Sequence, residues 1–387
     1  LQSSSTIGMN PNLKPEKTSS IEAGFEAAFW DNRLYLDFTY YKTDSRNQIL
    51  KLATTAASGY TSQVRNAGHI RNRGYEIQLG AVPIQTSKGF RWNLDLNYGA
   101  NSSKVVKLDD EGLITSYQLY SSGIQILASV GEAYGTLFGT SYVRDANGNV
   151  VVDANGLPKI STTNKTLGKF TPDWTGGISN TFSYRSLSLS FLIDASVGGS
   201  IFSNTNKTGK YTGVLANTLS GRDAEHGGLW YYTDAMGNNV RLSESPSYSV
   251  SSDGLYYAQV NGQSTRVYQD GIMVEGVTES GSKNEEVVSA EKYYHRIYSI
   301  AEANVYDASY VKLREVALSY RLPRLWTQKL HLQEASVTLT GRNLWTIYKS
   351  VPNIDPESAL TTGNAQGVEA YSLPTTRSFG VNLSVKF

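Results

Sequence analysis

The chain ends in the stretch Arg377-Ser-Phe-Gly-Val-Asn-Leu-Ser-Val-Lys-Phe387, in which every second residue is apolar. Because side chains alternate across a β-strand, this stretch predicts a strand with one apolar and one hydrophilic face. The apolar face consists of Phe379, Val381, Leu383, Val385 and Phe387. The opposite face consists of Ser378, Gly380, Asn382, Ser384 and Lys386.

The length of this alternation bears on what the apolar face contacts. From Phe379 to Phe387, a strand tilted by about 40° rises roughly 23 Å, close to the ~25 Å apolar band of an outer-membrane barrel. A strand of a soluble sandwich is usually shorter, at about five or six residues. The five apolar residues, ending in an aromatic one, also resemble the C-terminal assembly signal of outer-membrane barrels. Taken alone, the stretch fits an edge strand of a soluble sheet equally well.

The composition excludes several classes of protein. The chain has 387 residues and a formal net charge of +1, which gives no indication of nucleic-acid binding or of an acidic tail. No run of about 18 apolar residues exists, so the sequence predicts no transmembrane helix. The absence of cysteine excludes disulfide and thiol chemistry. The 26 tyrosines are typical of a membrane aromatic girdle or a sugar-binding surface.

The same alternation recurs in pairs of segments, and each pair predicts a β-hairpin. The four hairpins comprise residues 21–29 with 34–41, 75–81 with 92–98, 174–184 with 187–195, and 311–322 with 335–345. In the third hairpin, Asn180 interrupts an otherwise apolar face. In the fourth, the alternation changes phase between Leu313 and Val316, which predicts a β-bulge. With the C-terminal stretch, the hairpins make about nine strands.

Connections within the hairpins are short, whereas those between hairpins are long. The long connections are residues 43–73, 101–172, 198–307 and 346–375, of which residues 291–303 could form a short helix. In a soluble domain, unstructured connections of this length would argue against the strands. In an outer-membrane barrel, short turns face the periplasm and long loops face outwards. The sequence therefore predicts an all-β, transmembrane antiparallel barrel with extracellular loops and a periplasmic C-terminus.

The beginning of the chain and the odd number of strands predict that more protein lies upstream. Residues 1–10 contain neither the charged nor the apolar region of a secretion signal. Bacterial single-chain barrels have an even number of strands, and nine strands would leave two unpaired edges. We therefore expect residues 1–387 to be the C-terminal portion of a longer barrel.

Several stretches resemble the C-terminal part of the SusC/RagA family of TonB-linked outer-membrane proteins. The resemblance extends over essentially the whole chain, in the order that the family has. The stretches are Asn10-Pro-Asn-Leu-Lys-Pro-Glu-Lys17, Asn66-Ala-Gly-His-Ile-Arg-Asn-Arg-Gly74, Gly131-Glu-Ala-Tyr-Gly135, Pro172-Asp-Trp-Thr-Gly-Gly177, Val305-Tyr-Asp-Ala-Ser-Tyr-Val-Lys-Leu-Arg-Glu315, Gly341-Arg-Asn-Leu-Trp345 and the terminal Phe387.

The resemblance implies a fold, a function and partners. The family's barrel has about 22 strands and an N-terminal plug, so this chain corresponds to its last nine strands. Family members in the Gram-negative outer membrane import oligosaccharides, or in some cases peptides. A SusD-like surface lipoprotein caps the barrel as a lid, and TonB supplies energy through a motif near the start of the full chain. The resemblance identifies the family but not the substrate, and neither plug nor TonB motif occurs in this sequence.

The sequence motifs indicate no catalytic or metal-binding residues. Asp145-Ala-Asn-Gly-Asn149 and Asp153-Ala-Asn-Gly156 suggest calcium loops, but neither has the glutamate that an EF-hand requires at its twelfth position. Asn-Gly pairs favour turns, which is the interpretation preferred here. No nucleophile elbow, zinc-protease motif or phosphate loop occurs. We therefore expect no enzymatic activity, no metal and no cofactor.

Aromatic residues in the longest connection are the candidate substrate contacts. They are Trp230, Tyr231, Tyr232, Tyr256 and Tyr257. Aromatic rings supply contact area at low entropic cost, and a phenol adds a hydrogen bond. Packing of these rings among the loops is an equally good interpretation. No nucleic-acid partner is expected, whereas membrane lipid is.

Two alternatives to an importer remain at this point. A structural or adhesive barrel without active transport has the same strand pattern, and the segment upstream of Leu1 would distinguish it. A soluble glycan-binding sandwich predicts that Trp92, Leu94, Phe191 and Phe379 are buried in protein. A barrel predicts that these side chains face lipid.

Overall fold

The computed structural model of the chain describes residues 7–53, 60, 62–109, 112–329 and 331–387. Its central feature is one antiparallel sheet of nine strands. The order of the strands across the sheet is their order in the sequence. The predicted number of strands is confirmed. The strands are β1 (Lys17–Phe29), β2 (Leu34–Arg46), β3 (His69–Gln85), β4 (Phe90–Lys107), β5 (Trp174–Tyr184), β6 (Leu187–Val197), β7 (Tyr310–Arg321), β8 (Glu334–Lys349) and β9 (Ser378–Lys386).

The pairing register places the apolar residues of all nine strands on the same side of the sheet. Phe38 lies opposite Phe25 on one neighbour and Ile77 on the other. At the far edge, Leu339 lies opposite Leu318 and Val381. Directly opposite residues share a face, so the sheet has one continuous apolar face and one polar face.

The apolar face is not covered by protein. Phe25 is 55% exposed, and on β9 Phe379 and Val381 are 80% and 73% exposed. Trp92, Leu94 and Phe191 are half-buried. The soluble sandwich required these side chains to lie in a protein interior, and the structure contradicts that alternative. An uncovered apolar face nine strands wide is instead what a lipid-facing barrel wall presents.

Two irregularities predicted from the sequence have clear structural forms. Against β6, Leu313 and Glu315 lie opposite the consecutive residues Ile193 and Leu192, so Arg314 is the extra residue of a β-bulge. Against β8 the extra residue lies on β8, since Leu313 and Glu315 lie opposite Trp345 and Arg342. Asn180, the polar residue on the apolar face of β5, accepts a 3.1 Å hydrogen bond from the indole Nε1 of Trp92. This bond satisfies the amide oxygen where no water is available.

The connections between hairpins are shorter and more structured than the sequence predicted. The strands extend into them, so the connections are loop A (residues 47–68), loop B (108–173), loop C (198–309) and loop D (350–377). Runs rich in Gly, Ser and Asn predicted only turns, but these loops contain further short strands. Some of these strands pair as local hairpins, such as Tyr256–Val260 with Gln263–Met273, whereas others pair with segments more than a hundred residues away, such as Ser200–Ser203 with Val305–Asp307.

Loops A and B each contain a small sheet. In the first, Ser62–Asn66 pairs in parallel with Ile7–Gly8 and antiparallel with Ile49–Ala53. The second consists of four antiparallel strands: Ser116–Ser121, Gln125–Ser129, Tyr134–Gly139 and Lys165–Lys169.

Loop C contains the largest of the loop sheets. It is built around Gln263–Met273, which pairs with Leu229–Thr233, Tyr256–Val260 and Val287–Ser289; Asn239–Arg241 and Tyr248–Val250 form its edges. A fourth strand set joins loops C and D: Ser200–Ser203 pairs antiparallel with Val305–Asp307 and in parallel with Val368–Glu369.

Three α-helices and two short 3₁₀ turns complete the described chain. They are α1 (Asn204–Thr212), α2 (Ala290–Tyr298) and α3 (Arg324–Lys329), with 3₁₀ turns at Ala216–Thr218 and Glu302–Asn304. The helix expected at 291–303 is therefore α2, which ends earlier than predicted. Among the residues described, no helix has the length and apolarity needed to cross a membrane.

The buried core of the molecule lies mainly in the loops. One cluster combines Ile126 and Leu137 of loop B with Phe202 of loop C and Val368 of loop D, and all four side chains are fully buried. Smaller clusters hold the sheet of loop C together. Loops B, C and D are therefore packed against one another as a folded assembly above the sheet.

Candidate functional site

All four loops emerge from the same end of the nine-stranded sheet, because the strands alternate in direction. The opposite end has the short connections, residues 30–33, 86–89, 185–186 and 322–333. The candidate site is the mouth formed by the loop assembly and the adjoining polar face. We call these two ends of the sheet the loop end and the turn end.

An ionic cluster on the polar face anchors loop D to the sheet. Lys312 of β7 is only 2% exposed. Its Nζ lies 2.7 Å from Oδ1 of Asp355 and 2.5 Å from Oε2 of Glu357. A buried ammonium is tolerated only when it is paired, and here both carboxylates come from loop D. Lys312 therefore fixes the loop against the wall of the sheet.

Arg314 extends this cluster to β6. Its Nε and Nη2 donate to the two carboxylate oxygens of Asp194 at 2.9 and 2.6 Å. Its Nη1 and Nη2 donate to Glu357 at 3.0 and 2.8 Å, and Nη1 also donates to Oδ1 of Asn343 at 3.0 Å. The β-bulge at Arg314 directs the guanidinium to the polar face, where it joins two strands and loop D.

The electrostatics of loop D follow from this cluster. Burial by itself would raise the pKa of Asp355, but hydrogen bonds from Lys312 and Thr375 outweigh it and lower the pKa from 3.8 to about 2. Burial opposes ionisation of Glu357 as well, and the Arg314 and Lys312 side chains lower its pKa. Both carboxylates are charged near neutral pH, so the cluster is fully ion-paired.

A second buried carboxylate joins loop D to loop C. Glu369 is fully buried, and it accepts hydrogen bonds from Oγ of Ser203 at 2.7 Å and Oγ1 of Thr205 at 2.6 Å. Ser203 is also the N-cap of α1 and accepts from the backbone N of Asn206 at 3.0 Å. Oε2 of Glu369 also accepts from the backbone N of Thr205 at 3.3 Å, so this side chain lies at the N-terminus of α1.

The predicted aromatic residues fall within the sheet of loop C. Trp230, Tyr231 and Tyr232 lie in the strand Leu229–Thr233, and Tyr256 and Tyr257 lie in the strand Tyr256–Val260. Trp230 and Tyr231 are only 7% and 4% exposed. Tyr232 and Tyr257 are half-buried, and Tyr256 is 38% exposed.

Trp230 is the centre of an aromatic cluster in this sheet. Its ring centroid lies 5.1 Å from Tyr248 and 5.7 Å from Tyr256, and the two tyrosine rings meet edge to face at 5.1 Å. Tyr248 is 48% exposed. Trp230 thus supports two exposed phenols. Tyr231 does not join this cluster; its ring stacks on that of Tyr268, and its hydroxyl donates to Asp270 at 3.0 Å.

A hollow of about 330 Å³ lies between loop D and the loop end of the polar face. Its lining includes Ser196 of β6, Tyr310 of β7, and Glu357, Thr361 and Gln366 of loop D. Hydroxyl, amide and carboxylate groups next to an aromatic ring are the groups that bind polar polymers such as sugars or peptides. None of these residues was predicted from the sequence to contact substrate.

The two calcium-like stretches form turns. Oδ1 of Asp145 accepts from the backbone N of Asn147 and Asn149 at 2.9 and 2.8 Å. Oδ1 of Asp153 accepts in the same way from Asn155 at 3.0 Å and Leu157 at 3.1 Å. These are Asx turns, as the Asn-Gly pairs suggested. Within the part of the chain that the structure describes, no cluster of His, Asp and Glu could hold a metal ion.

Comparison with known proteins identifies the fold. A family described as "TonB dependent receptor-like, beta-barrel" matches residues 1–212, more than half of the chain. Among curated proteins, TonB-dependent receptor P3 of Formosa agariphila is 27% identical over 98% of this chain and 35% of its own length. TonB-dependent receptor SusC of Bacteroides thetaiotaomicron is 23% identical over 98% of this chain and 32% of its own length.

Solved structures agree with this assignment. A structure of the RagAB peptide transporter superimposes with a TM-score of 0.61 at 19% identity, covering 98% of this chain and 36% of that chain. At this identity the likeness concerns the fold alone. The chain spans about a third of the length of the curated relatives that it matches.

Proposed function

Because the chain belongs to the TonB-dependent receptor-like β-barrel family, we propose that the protein containing it imports a polymeric nutrient across the Gram-negative outer membrane. The observation that carries the proposal is the nine-stranded sheet with one uncovered apolar face, one polar face, and a folded loop assembly at one end. Such a sheet provides a lipid-facing wall and a hydrated lumen. The relatives are receptors, and the role proposed here is non-enzymatic.

Residues 1–387 would form the C-terminal part of the barrel in this proposal, with the plug and the earlier strands supplied by the segment upstream. The loops would be extracellular and the C-terminus periplasmic. Energy would come from the TonB complex through the upstream segment, and a SusD-like lipoprotein would close the mouth. The short turns and the long, folded loops support this orientation.

The substrate would be an oligosaccharide or a peptide. Support comes from the hollow between loop D and the polar face, with the hydroxyl and amide groups of Ser196, Tyr310 and Gln366. The aromatic residues of loop C would contribute further contacts. Among them, Tyr256 presents a phenol to solvent, and Trp230 supports its ring from below.

Growth and uptake measurements test the proposal. A strain lacking the gene is expected to lose growth on one class of oligosaccharide or peptide and to regain it on complementation. Uptake should stop when the proton-motive force is dissipated. A protein that binds substrate at the cell surface but supports no energy-dependent uptake would be a structural or adhesive barrel. A chain that stays monomeric and soluble without detergent would contradict both membrane functions.

A further inference from the structure

A row of aromatic side chains crosses the apolar face where, towards the loop end, the apolar residues of β2 to β4 give way to polar and charged ones. Tyr40 of β2 lies opposite Tyr75 of β3. The ring of Tyr75 stacks on that of Tyr98 at 6.0 Å, and Tyr98 lies 5.4 Å from Trp174. Aromatic rings at this position of a barrel wall mark the boundary between hydrocarbon and lipid headgroups.

Basic side chains follow on the same face, just beyond the aromatic row. Lys42 lies opposite Arg73, Arg73 lies opposite Ser102, and Arg71 lies opposite Lys104. Each is an even number of residues from Tyr40, Tyr75 or Tyr98 on its own strand, so each points outwards with the apolar residues. Asp44 lies on the same face, but its carboxylate is already paired: Oδ1 lies 2.5 Å from Nε2 of His69 and 2.8 Å from Nε of Arg71.

Three of these cations have no acidic partner in the described part of the chain. Lys42, Arg73 and Lys104 form no ion pair with any residue that the structure describes. Lys42 and Arg73 lie directly opposite each other, and like charges in that position destabilise a sheet. An anion bound between them would remove this repulsion.

An open hollow of about 480 Å³ lies next to this pair, with Arg73 in its lining and Lys42 beside it. Its lining includes Tyr40, Tyr75, Arg73, Ser102, Lys169 and Asp173. Asp173 is neutralised by Lys169, whose Nζ lies 2.7 Å from its Oδ1. The guanidinium of Arg73 and the hydroxyl of Ser102 therefore remain as donors, and a phosphate group matches the fork of an arginine.

We propose that this hollow binds the phosphate headgroup of an anionic lipid in the leaflet that the loop end faces. The site rests on the membrane placement given under Proposed function, but not on transport. The basic residues point away from the polar face, so neither a substrate in the lumen nor a lid over the mouth reaches them. The basic residues lie beyond the aromatic row towards the loop end, at the level where headgroup phosphates occur.

Lipid binding to the full-length protein tests this site. The protein is placed in nanodiscs of neutral phosphatidylcholine and titrated with short-chain phosphatidic acid, and bound lipid is counted by native mass spectrometry. Each cation near the headgroup contributes about fivefold, so the double variant Lys42→Gln with Arg73→Gln should bind about 25-fold more weakly. The matched control, Lys88→Gln with Arg185→Gln, removes the same charge at the turn end and should bind as the wild type does.

Other possible outcomes would overturn the proposed lipid site or the proposed transport. Equal binding by the double variant and the wild type overturns the proposal. Equal affinity for inorganic phosphate and for phosphatidic acid overturns the lipid as the source of the phosphate. If the double variant fails to fold, wild-type binding that does not weaken as salt is raised overturns the proposal, since an exposed ion pair is screened. A protein that binds lipid but supports no uptake contradicts the proposed transport alone.

Discussion

Arg314 and Asp194 lie on adjacent strands and meet through two parallel hydrogen bonds of 2.9 and 2.6 Å. They are 120 residues apart in sequence. The same guanidinium binds Glu357, so one side chain couples the wall of the sheet to loop D. The bulge on β7 makes this possible because it turns an additional side chain towards the polar face.

Replacement of Arg314 by lysine should lower the stability of the folded protein. Lysine keeps the charge but loses the planar fork, and the loss of charge-assisted hydrogen bonds in a half-buried site costs about 1–3 kcal/mol. The measurement is the temperature at which the compact, heat-modifiable form disappears on a gel. Arg321→Lys is the control, since Arg321 and its partner Glu334 are 67% and 51% exposed and such pairs contribute about 0–1 kcal/mol. Equal effects of the two variants would contradict the role given to Arg314.

Acid should selectively remove the contribution of Asp355. Its pKa is lowered from 3.8 to about 2 in the folded chain, so ionised Asp355 stabilises the fold above about pH 4 and this stabilisation is lost as pH falls towards 2. The unfolding temperatures of the wild type and of Asp355→Asn should therefore differ near neutral pH and converge between about pH 4 and pH 2. A difference that is constant over this range would show that Asp355 acts through packing alone.

A charge on the apolar face of β9 should prevent insertion into the membrane. Leu383→Arg places a cation in hydrocarbon, at a cost of about 2–4 kcal/mol near the bilayer midplane. Ser384→Arg, one residue along the strand, points to the polar face and should be tolerated. The fraction of heat-modifiable protein in the outer-membrane fraction is the readout. If both variants insert equally well, the apolar face does not contact lipid.

The terminal aromatic residue should be required for assembly rather than for stability. Phe387 is 82% exposed and contributes little packing in this chain. Phe387→Ser is expected to reduce the amount of protein in the outer membrane while leaving the unfolding temperature of the inserted fraction unchanged. Lys386→Ser is the matched control. A normal yield of the Phe387 variant would remove the assembly signal from the interpretation.

Exposed and buried aromatic residues of loop C should respond differently to truncation. Tyr256→Ala is expected to weaken binding of the transported oligosaccharide or peptide by about threefold to tenfold, the range for one aromatic contact. Trp230→Ala removes the buried support and should also make the loop sheet sensitive to protease. Tyr320→Ala alters a similarly exposed ring at the turn end and should leave binding unchanged. Calorimetric titration with the substrate found by growth assays measures binding by all three variants. Limited proteolysis measures the sensitivity of the Trp230 variant.

The nine strands of the sheet could be predicted because their signal is local. Alternation with a period of two is written into each segment, as in Phe379–Phe387, and a short turn such as Arg185-Ser186 determines which segments pair. The bulge on β7 was also visible, since an extra residue relative to β6 reverses the phase of alternation after Leu313. The resemblance to a family then supplied the membrane and the transport hypothesis.

The organisation of the loops was not predictable in this way. Ser200–Ser203 has too few residues for a periodic pattern, and it pairs with segments more than a hundred residues away. Local hairpins such as Tyr256–Val260 with Gln263–Met273 are also present, but the first of these strands has only five residues. The same holds for the ionic cluster. Lys312 and Arg314 occur in a stretch that the sequence analysis had selected, but nothing in their spacing identifies Asp355 or Asp194 as partners.

The sequence by itself therefore determined the two-faced strands, their number, their turns and the positions of the long connections. Only the tertiary structure decided that these connections form a packed assembly and that Arg314 and Lys312 hold loop D. It also decided that cations without an acidic partner among the described residues lie beyond the aromatic row of the apolar face. The reason is physical: alternation and turn chemistry act between neighbours in the chain, whereas burial and ion pairing act between residues that become neighbours only after folding.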